Sequence, residues 1–199
     1  MHPALASFIE RMDRLVATTN DDHRIADVTS EHLAELLDQP RFLEDADRAS
    51  SEDGYTQHVV HVHPQGLYSV VSLVWRPGQA TPIHDHRCWC VVGVLRGQER
   101  EERFTLHEDD GDQWLSEHAV SHYRPGQVCA LVPPDENIHR VVNEADETSI
   151  SIHVYGADID ACGTSINRTF ELPVRADGDD ETAASWRDRD TERLVRPRT

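Results

Sequence analysis

The chain has 199 residues and a formal net charge of −18, and all 19 of its basic residues are arginine. Such a negative field repels nucleic acid and anionic lipid, so neither is expected as a partner. No apolar run approaches the roughly 20 residues that span a bilayer, and the N-terminal residues lack the basic and apolar regions of a signal peptide. The sequence therefore predicts one cytoplasmic domain. Four cysteines without CxxC spacing argue against a disulfide scaffold or a zinc ribbon.

The first 50 residues are predicted to form a helical N-terminal cap of this domain. Apolar residues recur at three- and four-residue steps over residues 4–18, the pattern of an amphipathic helix. A second helix is predicted over residues 29–37, with Ser30 as its N-cap and a buried leucine stripe that ends before Pro40.

Residues 51–173 are predicted to form a β domain. Short β-branched runs alternate there with turn residues, which indicates an all-β barrel or sandwich. Strands are predicted over residues 57–62, 68–75, 89–95, 100–107, 114–118, 128–132, 139–143 and 149–155. Residues 174–199 are rich in Asp, Glu and Arg, and a flexible tail is predicted there, which Trp186 and Leu194 can fix locally.

The most informative local feature is a pair of histidines, His84 and His86, where a loop leads into a strand. Side chains at i and i+2 of an extended chain project to the same side, and imidazole is a common ligand of first-row metals. His139 begins another predicted strand and is the candidate third ligand. The alternative is that all three are polar surface positions, because the chain contains 13 histidines.

The first histidine segment resembles the first cupin motif, which reads Gly, five residues, His-x-His, three or four residues, Glu, six residues, Gly. Gly78, His84, His86 and Gly97 fit this spacing, but Cys90 occupies the glutamate position. The resemblance implies a mainly β fold, the cupin double-stranded β-helix or jelly-roll barrel, with a helical N-terminal segment. Without the carboxylate, the implied site is three-His iron.

The second cupin motif is matched around His139. Gly126, Pro134 and Asn143 stand at the expected spacing from His139, and Glu136 stands where glycine is usual. The resemblance therefore makes His139 the third ligand beside the histidine pair.

A third segment resembles the cysteine dioxygenase family of thiol dioxygenases. Ser151, His153 and Tyr155 alternate along one predicted strand and match that family's Ser-His-Tyr relay. The resemblance covers about residues 55–168 and implies that Fe(II), held by the three histidines, supports addition of O2 to a substrate thiolate. In such a relay Ser151 fixes His153, and His153 orients a hydrogen bond from Tyr155. The alternative is a half-buried strand with satisfied polar groups.

Two positions bear on the subclass. Cys90 stands where some family members join a cysteine to the relay tyrosine through a thioether, so a crosslink to Tyr155 is one hypothesis, and simple packing of Cys90 is the other. Gln57 stands where cysteine-specific members carry an arginine for the substrate carboxylate. A neutral amide cannot make that bidentate charged pair, which favours the branch acting on 3-mercaptopropionate.

The remaining substrate contacts are open at this point. Tyr55 precedes Gln57 by two residues and is a candidate substrate contact or a packed edge-strand tyrosine. Arg168 is the candidate cation for the substrate carboxylate, with Arg87 and Arg140 as alternatives, and each can equally be a solvated surface residue.

The sequence thus predicts a non-haem Fe(II) dioxygenase that converts a small thiol carboxylate and O2 to a sulfinic acid, with 3-mercaptopropionate favoured. The first alternative is an L-cysteine dioxygenase, and the second is a non-catalytic metal-binding cupin. A monomer or a homodimer is expected.

Overall fold

The computed structural model describes residues 1–134 and 137–176. Two helices open the chain: α1 covers Pro3–Thr18 and α2 covers Asp22–Leu37. The predicted start of the second helix was wrong. Asp21 is its N-cap and accepts from the Arg24 amide, whereas the Ser30 hydroxyl donates to the Ala26 carbonyl in mid-helix. The first turn of α2 is polar, so the apolar periodicity of the sequence does not show that the helix begins at Asp22.

The rest of the described chain is mainly strand. Short 3₁₀ turns cover Pro40–Phe42 and Asp45–Arg48, and a short helix α3 covers Ile159–Cys162. The strands, in chain order, are β1 (Thr56–Val62), β2 (Ser69–Trp75), β3 (His84–His86), β4 (Cys90–Arg96), β5 (Glu99–Asp109), β6 (Asp112–Tyr123), β7 (Val128–Leu131), β8 (His139–Val142), β9 (Ser149–Tyr155), β10 (Ile166–Thr169) and β11 (Val174–Arg175).

These strands form two sheets. One has the order β1-β2-β9-β4-β7, and the other has the order β10-β3-β8-β5-β6-β11. Neighbouring strands are antiparallel except β11, which runs parallel to β6. The eight predicted strands are confirmed; seven have ends shifted by at most two residues, and the one predicted over residues 114–118 extends over Asp112–Tyr123. β3, β10 and β11 were missed because they are too short for periodicity to reveal.

The two N-terminal helices cover the outer face of the first sheet. Phe8, Met12 and Leu33 are fully buried there in one apolar cluster with Val91 and Ile152 of the sheet. Gly93 in β4 leaves room for these leucines, because a Cβ at that position would lie 2.6 Å from Leu37 Cδ1. The helices therefore support the strands that carry the interior side chains. The division of the domain at residue 50 stays a prediction.

A second apolar cluster fills the space between the sheets. It contains Leu73 and Trp75 of β2, Cys90 of β4, Val141 of β8 and Tyr155 of β9. Val141 belongs to the second sheet and the others to the first, so this cluster joins the two layers. The polar groups described below lie against it.

The segment predicted as a tail begins in a strand, because Val174 and Arg175 pair with Leu115 and Ser116 of β6. The guanidinium of Arg175 also lies 4.3 Å from the centroid of the Trp114 ring. Residues 177–199, with Trp186 and Leu194, lie outside the described residues. Within the described ranges, the helices are all too short or too polar to cross a bilayer.

Candidate metal centre

Strands β3 and β8 bring three histidines together. His84 and His139 face each other across this antiparallel pair, and His86 lies two residues beyond His84 on the same side of β3. The side chains are buried, with 2–4% of their surface exposed. Their ligand atoms all lie within 4.8 Å of one another, and His86 Nε2 is 2.8 Å from His139 Nε2. The expectation that His139 joins the histidine pair is confirmed.

Two of these imidazoles have fixed tautomers. The Pro82 carbonyl can only accept, so His84 Nδ1 donates to it at 2.9 Å, which leaves a lone pair on His84 Nε2. In the same way, His139 Nδ1 donates to the Glu101 carboxylate at 2.8 Å. Burial lowers the pKa of His84 to about 3, with a further contribution from His139, and burial lowers the pKa of His86 well below its ordinary value.

The donor set fits a first-row divalent metal. Neutral imidazoles present lone pairs, and two Nε2 atoms that point at each other over 2.8 Å are stabilised when a cation lies beside both. His86 Nδ1 is buried and has no hydrogen-bond partner among the described residues. Cys90 occupies the position of the usual cupin glutamate, and the group of clustered ligand atoms consists of His84, His86 and His139 without it.

Sequence reasoning missed Glu101, the carboxylate that orients His139. Glu101 lies on β5, is only 2% exposed, and also accepts from Arg103 Nε at 3.1 Å and from the Tyr123 hydroxyl at 3.2 Å. Burial opposes its ionisation, but the hydrogen bond from His139 and the charge of Arg103 hold its pKa below the usual range. The sequence does contain a signal for Glu101. Glu99 and Glu101 alternate at the start of a strand, and both side chains point to the interior.

Strand β9 carries three connected polar groups beside the histidines. Ser151 Oγ is 2.9 Å from His153 Nε2, and the Tyr155 hydroxyl is 3.0 Å from His153 Nδ1. Trp75 Nε1 donates to Ser151 Oγ at 3.1 Å. Burial lowers the pKa of His153 to about 3 and raises that of Tyr155 well above its ordinary value, so both groups are neutral near pH 7. The Tyr155 ring stacks on the His86 ring at 5.9 Å between centroids.

A small cavity opens onto two of the histidines and onto His153 and Tyr155 of the relay. Gln57 and Tyr55 lie on its wall, and the Tyr55 ring stacks on Trp75 at 4.5 Å between centroids. The lining contains no Asp, Glu or Arg side chain among the described residues. Its members are Tyr55, Gln57, Trp75, Thr81, His84, His139, Val141, His153, Tyr155, Thr164, Ser165 and Ile166.

The structure does not bring the candidate arginines to this cavity. The Arg168 side chain lies over the Phe170 ring at 4.4 Å and donates to Gln113 Oε1 at 3.4 Å. Arg87 donates to the Ile166 carbonyl at 2.8 Å, and Arg140 forms an ion pair with Glu102. None of the three arginines is among the residues that line the cavity, although Arg87 contacts the carbonyl of Ile166 in its wall. Spacing along the sequence could not reveal these partners.

Comparison with known proteins agrees with this geometry. The family model for cysteine dioxygenase type I matches residues 46–168. The chain is 28% identical over 117 residues to cysteine dioxygenase type 1 of Danio rerio and 29% identical over 119 residues to that of Homo sapiens, with 58% of this chain covered in each case. The match spans 57% of the length of these relatives.

Among solved structures, a conserved protein with a double-stranded β-helix domain from Klebsiella pneumoniae aligns with a TM-score of 0.45 and 21% identity, over 59% of this chain and 90% of that chain. Two sheets joined by an interior cluster, a matched family and a three-histidine group able to bind a metal agree with one another. The chain therefore belongs to the cysteine dioxygenase type I family, an iron-dependent family with the cupin fold.

Proposed function

We propose that this protein is an Fe(II)-dependent thiol dioxygenase that adds both atoms of O2 to the sulfur of a small thiol carboxylate and releases a sulfinate. The observation that carries the proposal is the position of Tyr155, which stacks on one of the three clustered histidines and lines the same cavity as two of them. A metal-storage or sensor site has no need of such a relay, which argues against a non-catalytic cupin.

Bound at His84, His86 and His139, Fe(II) would supply a Lewis-acid centre for the thiolate and for O2. Three neutral imidazoles leave the charge of the ion uncompensated, which favours an anionic substrate. The protein groups then do the positioning. Glu101 holds His139, and Tyr155 presents its hydroxyl to the cavity while His153 and Ser151 hold it in place. Holding the reactants in one buried cavity contributes through proximity.

We infer that 3-mercaptopropionate is a better substrate than L-cysteine. The cavity lining lacks charged Asp, Glu and Arg side chains among the described residues, so a carboxylate is held by neutral donors such as Gln57 and Tyr55. Cysteine brings an additional ammonium group that finds no carboxylate there, and burying an unpaired charge is costly. L-Cysteine is the second candidate, since the curated relatives are named cysteine dioxygenases.

A direct comparison of the two thiols tests this specificity. Iron-loaded protein is expected to consume O2 faster with 3-mercaptopropionate than with L-cysteine. Gln57→Arg is expected to shift the ratio toward L-cysteine, because it introduces the arginine that cysteine-specific members carry at this position. A wild-type preference for L-cysteine, or an unchanged ratio in Gln57→Arg, would contradict the inferred specificity. Cytoplasmic location and a monomeric or homodimeric state stay predictions of the sequence.

A further inference from the structure

Glu99 is a buried carboxyl group beside Ser151, at the inner end of the series Ser151, His153 and Tyr155. Glu99 lies at the start of β5, is 2% exposed, and contacts the hydroxyl groups of Ser149 and Ser151. Ser149 Oγ is 3.0 Å from both the Arg96 carbonyl and Glu99 Oε1, yet a hydroxyl has one proton. The Ser149 proton therefore reaches only one of these two acceptors at a time, and the proton of a neutral Glu99 stays available to Ser151.

A series of neighbouring polar groups runs from Glu99 to the cavity. Ser151 contacts Glu99 on one side and His153 Nε2 on the other, and His153 Nδ1 contacts the Tyr155 hydroxyl. Ser165 contacts Tyr155 at the outer end, where both residues line the cavity. Each intermediate group has one acceptor and one donor position along the series, as a proton relay requires.

Two arrangements of protons satisfy this series. With Glu99 ionised, Tyr155 donates to His153 Nδ1, His153 Nε2–H donates to Ser151, and Ser151 donates to the carboxylate. With Glu99 protonated, every hydrogen bond reverses: Ser151 donates to His153 Nε2, His153 Nδ1–H donates to Tyr155, and the Tyr155 proton points into the cavity. The two arrangements differ by one proton and by the tautomer of His153.

We propose that Glu99 is the inner end of a proton relay that takes up the proton of the substrate thiol when the thiolate form binds. The step rests on the proposed function and is balanced: the S–H bond breaks, Tyr155 receives that proton, one proton moves at each link through His153 and Ser151, and an O–H bond forms on Glu99. The thiolate remains in the cavity with no net change in charge. Oxidation of a thiol to a sulfinate releases one proton overall, which Glu99 holds until the product leaves.

The surroundings of Glu99 suit a group that must both accept and return a proton near neutral pH. Burial raises its pKa to about 7, against the opposing hydrogen bonds from Ser151 and Ser149. The titratable groups that share its inner cavity are Glu101, Tyr123, Cys129 and His139. Glu101 stays ionised, and burial raises the pKa values of Tyr123 and Cys129, so these three keep one protonation state in that range.

The first test follows the His153 tautomer by nitrogen NMR of histidine-labelled, metal-free protein. Wild type is expected to change from the Nδ1–H to the Nε2–H tautomer as the pH rises through the pKa of Glu99. Glu99→Gln and Ser151→Ala are each expected to remove this pH dependence. Glu102→Gln is the matched control, because Glu102 is an equally buried carboxylate on β5 that pairs with Arg100 and Arg140. A tautomer that does not change in wild type, or that changes alike in Glu99→Gln, overturns the proposal.

The second test counts the protons released when 3-mercaptopropionate or L-cysteine binds to the anaerobic iron-loaded protein, by calorimetry in buffers of different ionisation enthalpy. Above the pKa of Glu99, wild type is expected to release almost none, whereas Glu99→Gln releases about one per thiol bound. Equal release by the two proteins overturns the proposal. The NMR titration needs neither metal nor thiol, so an absence of O2 uptake in wild type would contradict the proposed function and leave the relay test intact.

Discussion

Cys90 and Tyr155 face each other directly across the antiparallel pair of β4 and β9. Both side chains are buried in the same interior cluster, and both reach His153 Nδ1, Cys90 Sγ at 3.9 Å and the Tyr155 hydroxyl at 3.0 Å. Facing Cβ atoms on such a pair lie about 4.5–5.5 Å apart, so the sulfur reaches the edge of the tyrosine ring. This register makes a thioether between them geometrically accessible.

We predict that turnover with O2 as oxidant joins Cys90 to Tyr155, with loss of one hydrogen from each side chain. Intact-mass spectrometry should then show a deficit of two hydrogens, which disappears in Cys90→Ala and persists in Cys162→Ala, a change at an exposed free cysteine. A peptide map with free Cys90 and unmodified Tyr155 after turnover would favour simple packing.

Removing one of the three clustered histidines should abolish metal retention. His86→Ala deletes a ligand whose Nε2 lies 2.8 Å from that of His139, and two imidazoles are a poor site for Fe(II). We expect loss of bound iron and of turnover together, measured by metal analysis and O2 uptake. His118→Ala changes an exposed histidine and serves as the control. Normal iron content in His86→Ala would refute the assignment of the centre.

Loss of the carboxylate that orients His139 should weaken the centre without removing a ligand. Glu101→Ala leaves His139 Nδ1 without its acceptor at 2.8 Å, and loss of such a partner typically lowers metal affinity about 10–100-fold. Glu101→Gln keeps an accepting oxygen and should lose less. Metal titration of the folded variants measures the effect, and equal affinity in Glu101→Ala and wild type would show that Glu101 does not position His139.

The stability of the metal-free protein should fall in acid because His153 is buried in its neutral form. Its pKa is about 3 when folded and 6.5 in the reference state, so the unfolded chain binds the extra proton between these values. The free energy of unfolding therefore rises with pH in that window, by about 1.4 kcal/mol per pH unit for this group. Denaturant titrations of His153→Gln should show a slope smaller by that amount, and His118→Gln should keep the wild-type slope.

Much of this architecture could be predicted because it depends on local patterns. The apolar residues of α1 recur on one face of the helix, and β2, β4 and β9 are runs rich in β-branched residues. In both cases the pattern itself predicts which side chains are buried. The histidine pair could be found because i and i+2 in a strand share one side.

What escaped prediction depends on contacts between distant segments. The partnership of Glu101 with His139 joins residues 38 positions apart, and Glu99 meets Ser149 across 50 positions. Arg168 was expected near the substrate, but its direction is set by Phe170 and Gln113. Such directions follow from register and packing, which a single sequence does not display.

The most direct test of the proposed chemistry is the fate of oxygen-18 gas in a reaction of iron-loaded protein with 3-mercaptopropionate or L-cysteine. Mass spectrometry of the product should show a sulfinate in which both oxygen atoms carry the label. His86→Ala, incubated in the same way, should give no product. A labelled product with one oxygen-18 atom, or no sulfinate from the iron-loaded wild-type protein with either thiol, would contradict the assignment of this chain as a thiol dioxygenase.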